Sequence, residues 1–146
     1  MEEPSSGTAP GQPVKRPVLL TVLCILTFIG SGLNIVSGLV IGFFYDRFVP
    51  FAAEFAETYQ VPGMEMITEG SPRFFFISAL LYSGSIAGAF MMWQLRKTGF
   101  HLYTISQILV ILAPMYFYKL PGPSLADLLL TGIFVILYSL NLKIMK

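Results

Sequence analysis

Charge is what this sequence has least of, and from four long stretches it is almost wholly missing. Only 12% of the residues are Asp, Glu, Lys or Arg against 55% that are hydrophobic, and mean hydropathy is +0.72. A soluble domain carries roughly a quarter of its residues charged, so a soluble globule is excluded. The net charge of +1 supplies no field that would draw the chain to nucleic acid. A single cysteine, Cys24, rules out an internal disulfide and reads as a small apolar side chain. A single histidine, His101, has no second His, Cys or acid at ligand spacing, so no metal site is expected. Intramembrane hydrolysis would need that His as base for a serine together with oxyanion donors, and no nucleophile motif accompanies it. A Walker loop, a dinucleotide fingerprint and an aromatic-interleaved basic patch are all missing. The expectation is a protein with no catalytic residue, no cofactor and no metal, and hence not an enzyme.

What is there is four apolar runs, approximately 17–45, 74–95, 98–118 and 124–142, of which only the last holds an acid, Asp127. At about 1.5 Å per residue the second run is roughly 33 Å long as a helix, enough for a hydrocarbon core of about 30 Å. The fold class that follows is all-α: a membrane-embedded four-helix bundle forming one domain over 14–146. The segment 1–13 is rich in Ser, Gly and Pro, has little to bury, and reads as a disordered tail. Lys15 and Arg16 before an apolar run could suggest a secretory signal. The run is too long for one and no Ala-x-Ala-like site closes it, so it reads as a retained first helix.

Lys and Arg divide unevenly between the two sides. Lys15, Arg16, Arg96, Lys97, Lys143 and Lys146 fall on one side, and Arg47, Arg73 and Lys119 on the other. The positive-inside rule then puts both termini in the cytoplasm. Tyr45, Tyr116 and Tyr118 are expected at one membrane interface and Trp93 and Tyr103 at the other. The turns at 96–99 and 119–123 are short and rich in Gly and Pro, so the last three helices are expected to be antiparallel neighbours.

The long loop 46–73 carries a helical pattern of its own. Phe48, Phe51, Ala52, Phe55 and Tyr59 recur at three- and four-residue spacing with Glu54 and Glu57 opposite, and Pro50 is well placed to open the segment. A short amphipathic helix on the outer membrane surface is expected, ended by Val61-Pro62-Gly63, as a cap on the bundle or as a gating or partner-binding lid.

Within lipid, close packing depends on small residues. Gly30, Gly38 and Gly42 line the first helix with Asn34 among them, Gly84 and Gly88 line the second, and the two rows are natural partners. Asn34, Ser85 and Gln107 each lie roughly 16 Å from the outer edge of the bilayer. Near that midplane Asn34 and Gln107 are expected to turn inward and bond across helices, with Ser83 or Ser85 and Thr131 as partners. These contacts read as structural glue rather than a substrate site, because no ionisable group accompanies them. Ser124 and Asp127, following Pro123, read as the cap of the fourth helix. Pro114 should kink the third.

The stretches 15–32 and 92–103 (KRPVLLTVLCILTFIGSG and MWQLRKTGFHLY) resemble small uncharacterised four-transmembrane-helix membrane proteins of Bacteroidota-type bacteria. The resemblance implies a bacterial inner (plasma) membrane location and this fold, and transfers no activity or site residue. The expected function is a non-enzymatic structural, accessory or regulatory role exercised through lateral contacts, with the lipid bilayer, a second copy or another membrane protein as partner and no nucleic acid. A small oligomeric transporter or channel subunit is the alternative.

Overall fold

The chain leaves extended backbone at Pro17 and enters α1 (Val18–Phe43), an uninterrupted apolar helix. The computed structural model describes residues 15–62, 64–119 and 121–146, and the tail expected over 1–13 lies outside the described residues, as does Gly63. Phe44 breaks the helical path (φ −108°, ψ 27°), and the chain at once re-enters a helix, α2 (Tyr45–Tyr59). Pro50 therefore sits inside α2 and does not open it. The Phe44 carbonyl, accepting from Arg47 N and Phe48 N at 3.0 Å each, has already formed the first turn. A proline this near a helix start removes only one early hydrogen bond. Gln60, in the left-handed region (φ 49°), ends α2.

A single turn, α3 (Glu65–Thr68), leads to α4 (Pro72–Trp93), which starts with Pro at its first position after an extended Ser71. Then follow α5 (Lys97–Tyr118), α6 (Leu125–Leu140) and a 3₁₀ turn at Leu142–Ile144. The protein is an all-α helical bundle. Four helical segments, Val18–Phe43, Pro72–Trp93, Lys97–Tyr118 and Leu125–Ile144, are long and apolar enough to cross a membrane, which makes it a multi-pass membrane protein.

α4 is the middle of the packing. A Cβ on Gly38 would sit 3.1 Å from the Phe75 carbonyl and 3.5 Å from Ala79 Cβ, while one on Gly42 would touch the Phe76 ring at 3.0 Å. These α1 glycines thus meet α4 near its start. Gly84 and Gly88 instead meet α5: a Cβ on Gly88 would lie 2.6 Å from Tyr103 N and 2.8 Å from the Gly99 carbonyl oxygen. The expected partnership of the two glycine rows is therefore corrected. Ala79 and Gly88 are nine residues apart, about two and a half helical turns, so they face opposite ways. One side of α4 receives α1 and the other receives α5. Gly30 joins neither contact, since a Cβ there would meet nothing within 4 Å.

The end of the bundle that carries the termini is densely filled. Leu20, Leu23, Cys24, Ala89, Met92, Tyr103, Tyr138 and Met145 form one buried cluster. Cys24 Sγ donates to the Ala89 carbonyl (3.5 Å), linking α1 to α4, and the Thr27 and Tyr138 hydroxyls share a hydrogen bond of 2.8 Å, linking α1 to α6. Lys97 N donates to the Lys146 carbonyl (2.9 Å) and Lys146 N to the Leu95 carbonyl (2.7 Å), clasping the last residue to the α4–α5 turn. Arg16 lies 4.4 Å above the Trp93 ring, a cation–π contact at the same end. Tyr103, expected at the interface, is buried here with its ring 4.9 Å from that of Tyr138. Gly88 and Gly99 let the backbones approach closely enough to take it inside.

Candidate functional site

The loop end is built differently, because α6 does not follow the other helices. Tyr138 is its one buried residue, and every position from Leu125 to Leu130 is exposed. The first half of α6 offers leucines and no glycine before Gly132, where a Cβ would again meet nothing within 4 Å. With no small-residue path for a neighbouring backbone, only the far end of the helix is held. The result is a cavity of about 450 Å³ between α6 and the layer formed by α1, α4 and α5.

Its floor is the top of the packed cluster, at Thr27, Tyr103 and Phe134, and it rises toward Ile41, Phe74, Pro114 and Asp127. Most of the wall is apolar, with Phe75, Ile111 and Leu130 among its members, but all four spanning helices add polar groups. α1 contributes Ser31, Asn34 and Ser37, α4 contributes Ser78 and Tyr82, α5 contributes Gln107, and α6 contributes Asp127 and Thr131. Pro114 and Val110 both line it. Lacking an N–H, Pro114 cannot donate to the Val110 carbonyl four residues back. No residue of α2 takes part in the lining.

The polar residues expected at the midplane have different fates. Gln107 Nε2 donates to Ser85 Oγ at 3.2 Å, a bond between α5 and α4, with Ser85 fully buried. Asn34 makes no such bond and is exposed; its Nδ2 donates to the Gly30 carbonyl of its own helix at 2.8 Å. Satisfied one turn back, the amide has no need of a neighbour, and the stand-off of α6 keeps Thr131 on the opposite wall of the cavity. Ser83 likewise donates to the Ala79 carbonyl in its own helix (2.8 Å). Gly30, named with the packing glycines, borders the cavity instead.

The α6 cap is also corrected. Ser124 occupies the N-cap position in extended backbone (φ −60°, ψ 131°), but its hydroxyl makes no capping hydrogen bond. Asp127, in the first turn, lines the cavity, as does Tyr82 of α4. His101 is exposed beside Phe100. Among the described residues no three His, Cys, Asp or Glu side chains gather into a metal-sized group. The Thr104 hydroxyl is the one buried side-chain polar group among them with no hydrogen-bond partner.

Outside the spans, the Tyr45 hydroxyl lies between the carbonyls of Ile67 (2.9 Å) and Gly70 (2.5 Å), tying the start of α2 to the turn before α4. Burial, and then the adjacent Asp46 carboxylate, push this phenol above its ordinary range, which keeps it a donor.

Sequence reasoning passed over Thr27, Tyr82, Tyr138 and the packing role of Gly99. One signal was present: Tyr82 stands well inside its apolar run and not at an end, and a tyrosine hydroxyl buried in lipid or protein needs a partner. No protein-family model matches the chain, and neither does any curated protein or solved structure.

Proposed function

We propose that this chain is a non-enzymatic accessory protein of a bacterial inner membrane, and that it works by taking an apolar, membrane-resident molecule sideways into the cavity beside α6. The observation that carries this reading is the separation of α6 from the other helices at the loop end only. A cavity that is mostly apolar, with a few convergent hydroxyls and amides, suits recognition, and its size is ordinary for a small-molecule site. The lining has no base paired with a nucleophile, so bond-making chemistry has nothing to run on. The distribution of Lys and Arg argues for cytoplasmic termini, which sets the cavity in the outer leaflet. The resemblance to four-span proteins of Bacteroidota-type bacteria supports the bacterial location. The exposed rings of Phe51, Phe55 and Tyr59, in a row along one face of α2 with centroids 6.2 and 4.5 Å apart, suit an interfacial anchor.

A diazirine amino acid at Thr131, activated in native membranes, tests lateral entry by mass spectrometry. Adducts to lipid or to another membrane molecule are expected, and they should fall sharply when Gly30→Leu fills the cavity. Adducts confined to α1 or α5 of the same chain would mean that the helices close on one another, and would overturn the reading.

The polar groups of the wall favour one second reading, a small oligomeric transporter or channel subunit. Cysteines at Asn34 and Gln107 that react with a membrane-impermeant thiol reagent from both sides would support it. Reaction from neither side would remove it.

A further inference from the structure

We infer that the molecule received by this cavity is a lipophilic cation, with Asp127 as its counter-ion. This rests on the lateral-entry reading and adds charge selection to it. Among the residues that line the cavity Asp127 is the one with a formal charge; no Lys, Arg or His is among them. Nor does any described Lys or Arg pair with that carboxylate. Asp127 is exposed at the start of α6 with no protein cation beside it, which leaves its carboxylate open to a cation that enters the cavity. A single carboxylate flanked by hydroxyls is too small a donor set for Ca²⁺, which takes six to eight oxygens, and Mg²⁺ demands near-ideal octahedral geometry. An organic cation needs no such shell.

The placement of the groups fits such a guest from head to tail. Asp127 stands at the start of α6, near the mouth, and Tyr82 lines the same cavity from α4. The Phe74 and Phe75 rings also line the cavity, and ring faces attract cations. Deeper in, Ile111, Leu130 and Phe134 offer apolar surface to the body of the molecule, between the uncharged polar groups of Asn34, Gln107 and Thr131. An anion of the same shape would be repelled by Asp127, and a neutral one would gain the apolar contacts alone.

The test is equilibrium binding of radiolabelled tetraphenylphosphonium and tetraphenylborate, two probes of one shape and opposite charge, to the full chain in lipid nanodiscs. Saturable binding of the phosphonium and none of the borate is expected. Asp127→Asn should weaken phosphonium binding at least tenfold, Asp127→Glu should recover most of it, and Gly30→Leu should abolish it, with unchanged far-ultraviolet dichroism in all three. Equal binding of both probes, or wild-type affinity in Asp127→Asn, would overturn the charge selection and leave lateral entry standing. If neither probe binds saturably and Gly30→Leu changes nothing, the inference falls together with the reading beneath it.

Discussion

At the terminal end Tyr138, Tyr103, Cys24, Leu20 and Met92 fill one another's space, whereas at the loop end α6 stands off and about 450 Å³ lies open between the same four helices. Both ends are apolar, so hydrophobicity cannot account for the difference; lipid solvates leucine as well as a neighbouring helix does. Nor do glycines separate them, since Gly88 and Gly99 at one end are matched by Gly38 and Gly42 at the other. What the terminal end has is polar atoms that find partners on other helices, in Thr27 with Tyr138 and Cys24 with Ala89. The loop end of α6 is leucine-rich, and across the cavity Asn34 is satisfied within its own helix. Helices in this protein come together where a small residue or an unmet polar atom gives them reason to.

The largest expected effect comes from exchanging the two kinds of glycine. Gly88→Ala puts a methyl 2.6 Å from a backbone nitrogen that cannot step aside. Overpacking costs typically about 1–3 kcal/mol, and the upper part of that range applies where the obstacle is main chain. Gly30→Ala meets open space and should raise stability by about 0.5–1 kcal/mol through helix propensity. Reversible unfolding in mixed micelles of rising SDS content, followed by circular dichroism, reads both. Two substitutions of like effect would mean that the contrast between the packed crossing and the open cavity is false.

A smaller effect is expected at the hydroxyl pair that ties α6 to α1. Tyr138→Phe removes the 2.8 Å bond to Thr27 and leaves the ring packing in place. Interhelical bonds of this kind contribute about 0.6 kcal/mol, with a maximum near 1.7. The consequence should be larger in motion than in energy. A spin pair on Leu125 and Leu112, both exposed, should show a broader distance distribution in the variant than in the parent. A distribution that does not change would show that α6 is held by something other than this hydroxyl pair.

Much of this architecture was legible in the residues. The four spans follow from uncharged length, and α2 follows from aromatics at three- and four-residue spacing against Glu54 and Glu57. The neighbours of each face were harder to read. Two glycine rows on consecutive helices look made for one another, but Gly84 and Gly88 lie on the side of α4 away from Ala79, and nothing in the pattern of α1 excludes α5 as the other helix's partner. Asn34 illustrates the same difficulty: an amide at the midplane must be satisfied, but a carbonyl one turn back serves as well as a side chain across a gap. The cavity was the least legible feature, since it arises from the lean of α6, and a lean leaves no periodicity. Asp127 was visible, and its place at a helix start made capping the simplest account of it.

Ser124 decides between those two accounts of the helix start with the smallest effect of the three. If its hydroxyl capped α6, alanine there would cost about 1 kcal/mol, because a free backbone amide in the first turn would lose its acceptor. Ser124 sits in N-cap geometry with no such bond, and Asp127 borders the cavity. Ser124→Ala should therefore change stability by less than about 0.5 kcal/mol, within the ordinary range for a surface substitution. Asp127→Asn should cost only the dipole interaction of an exposed acid, about 0.3–1 kcal/mol at low ionic strength, and the cost should shrink as salt is added. A loss near 1 kcal/mol in Ser124→Ala would make this helix start a closed cap, leaving the Asp127 carboxylate occupied by its own backbone and unavailable to anything that enters the cavity.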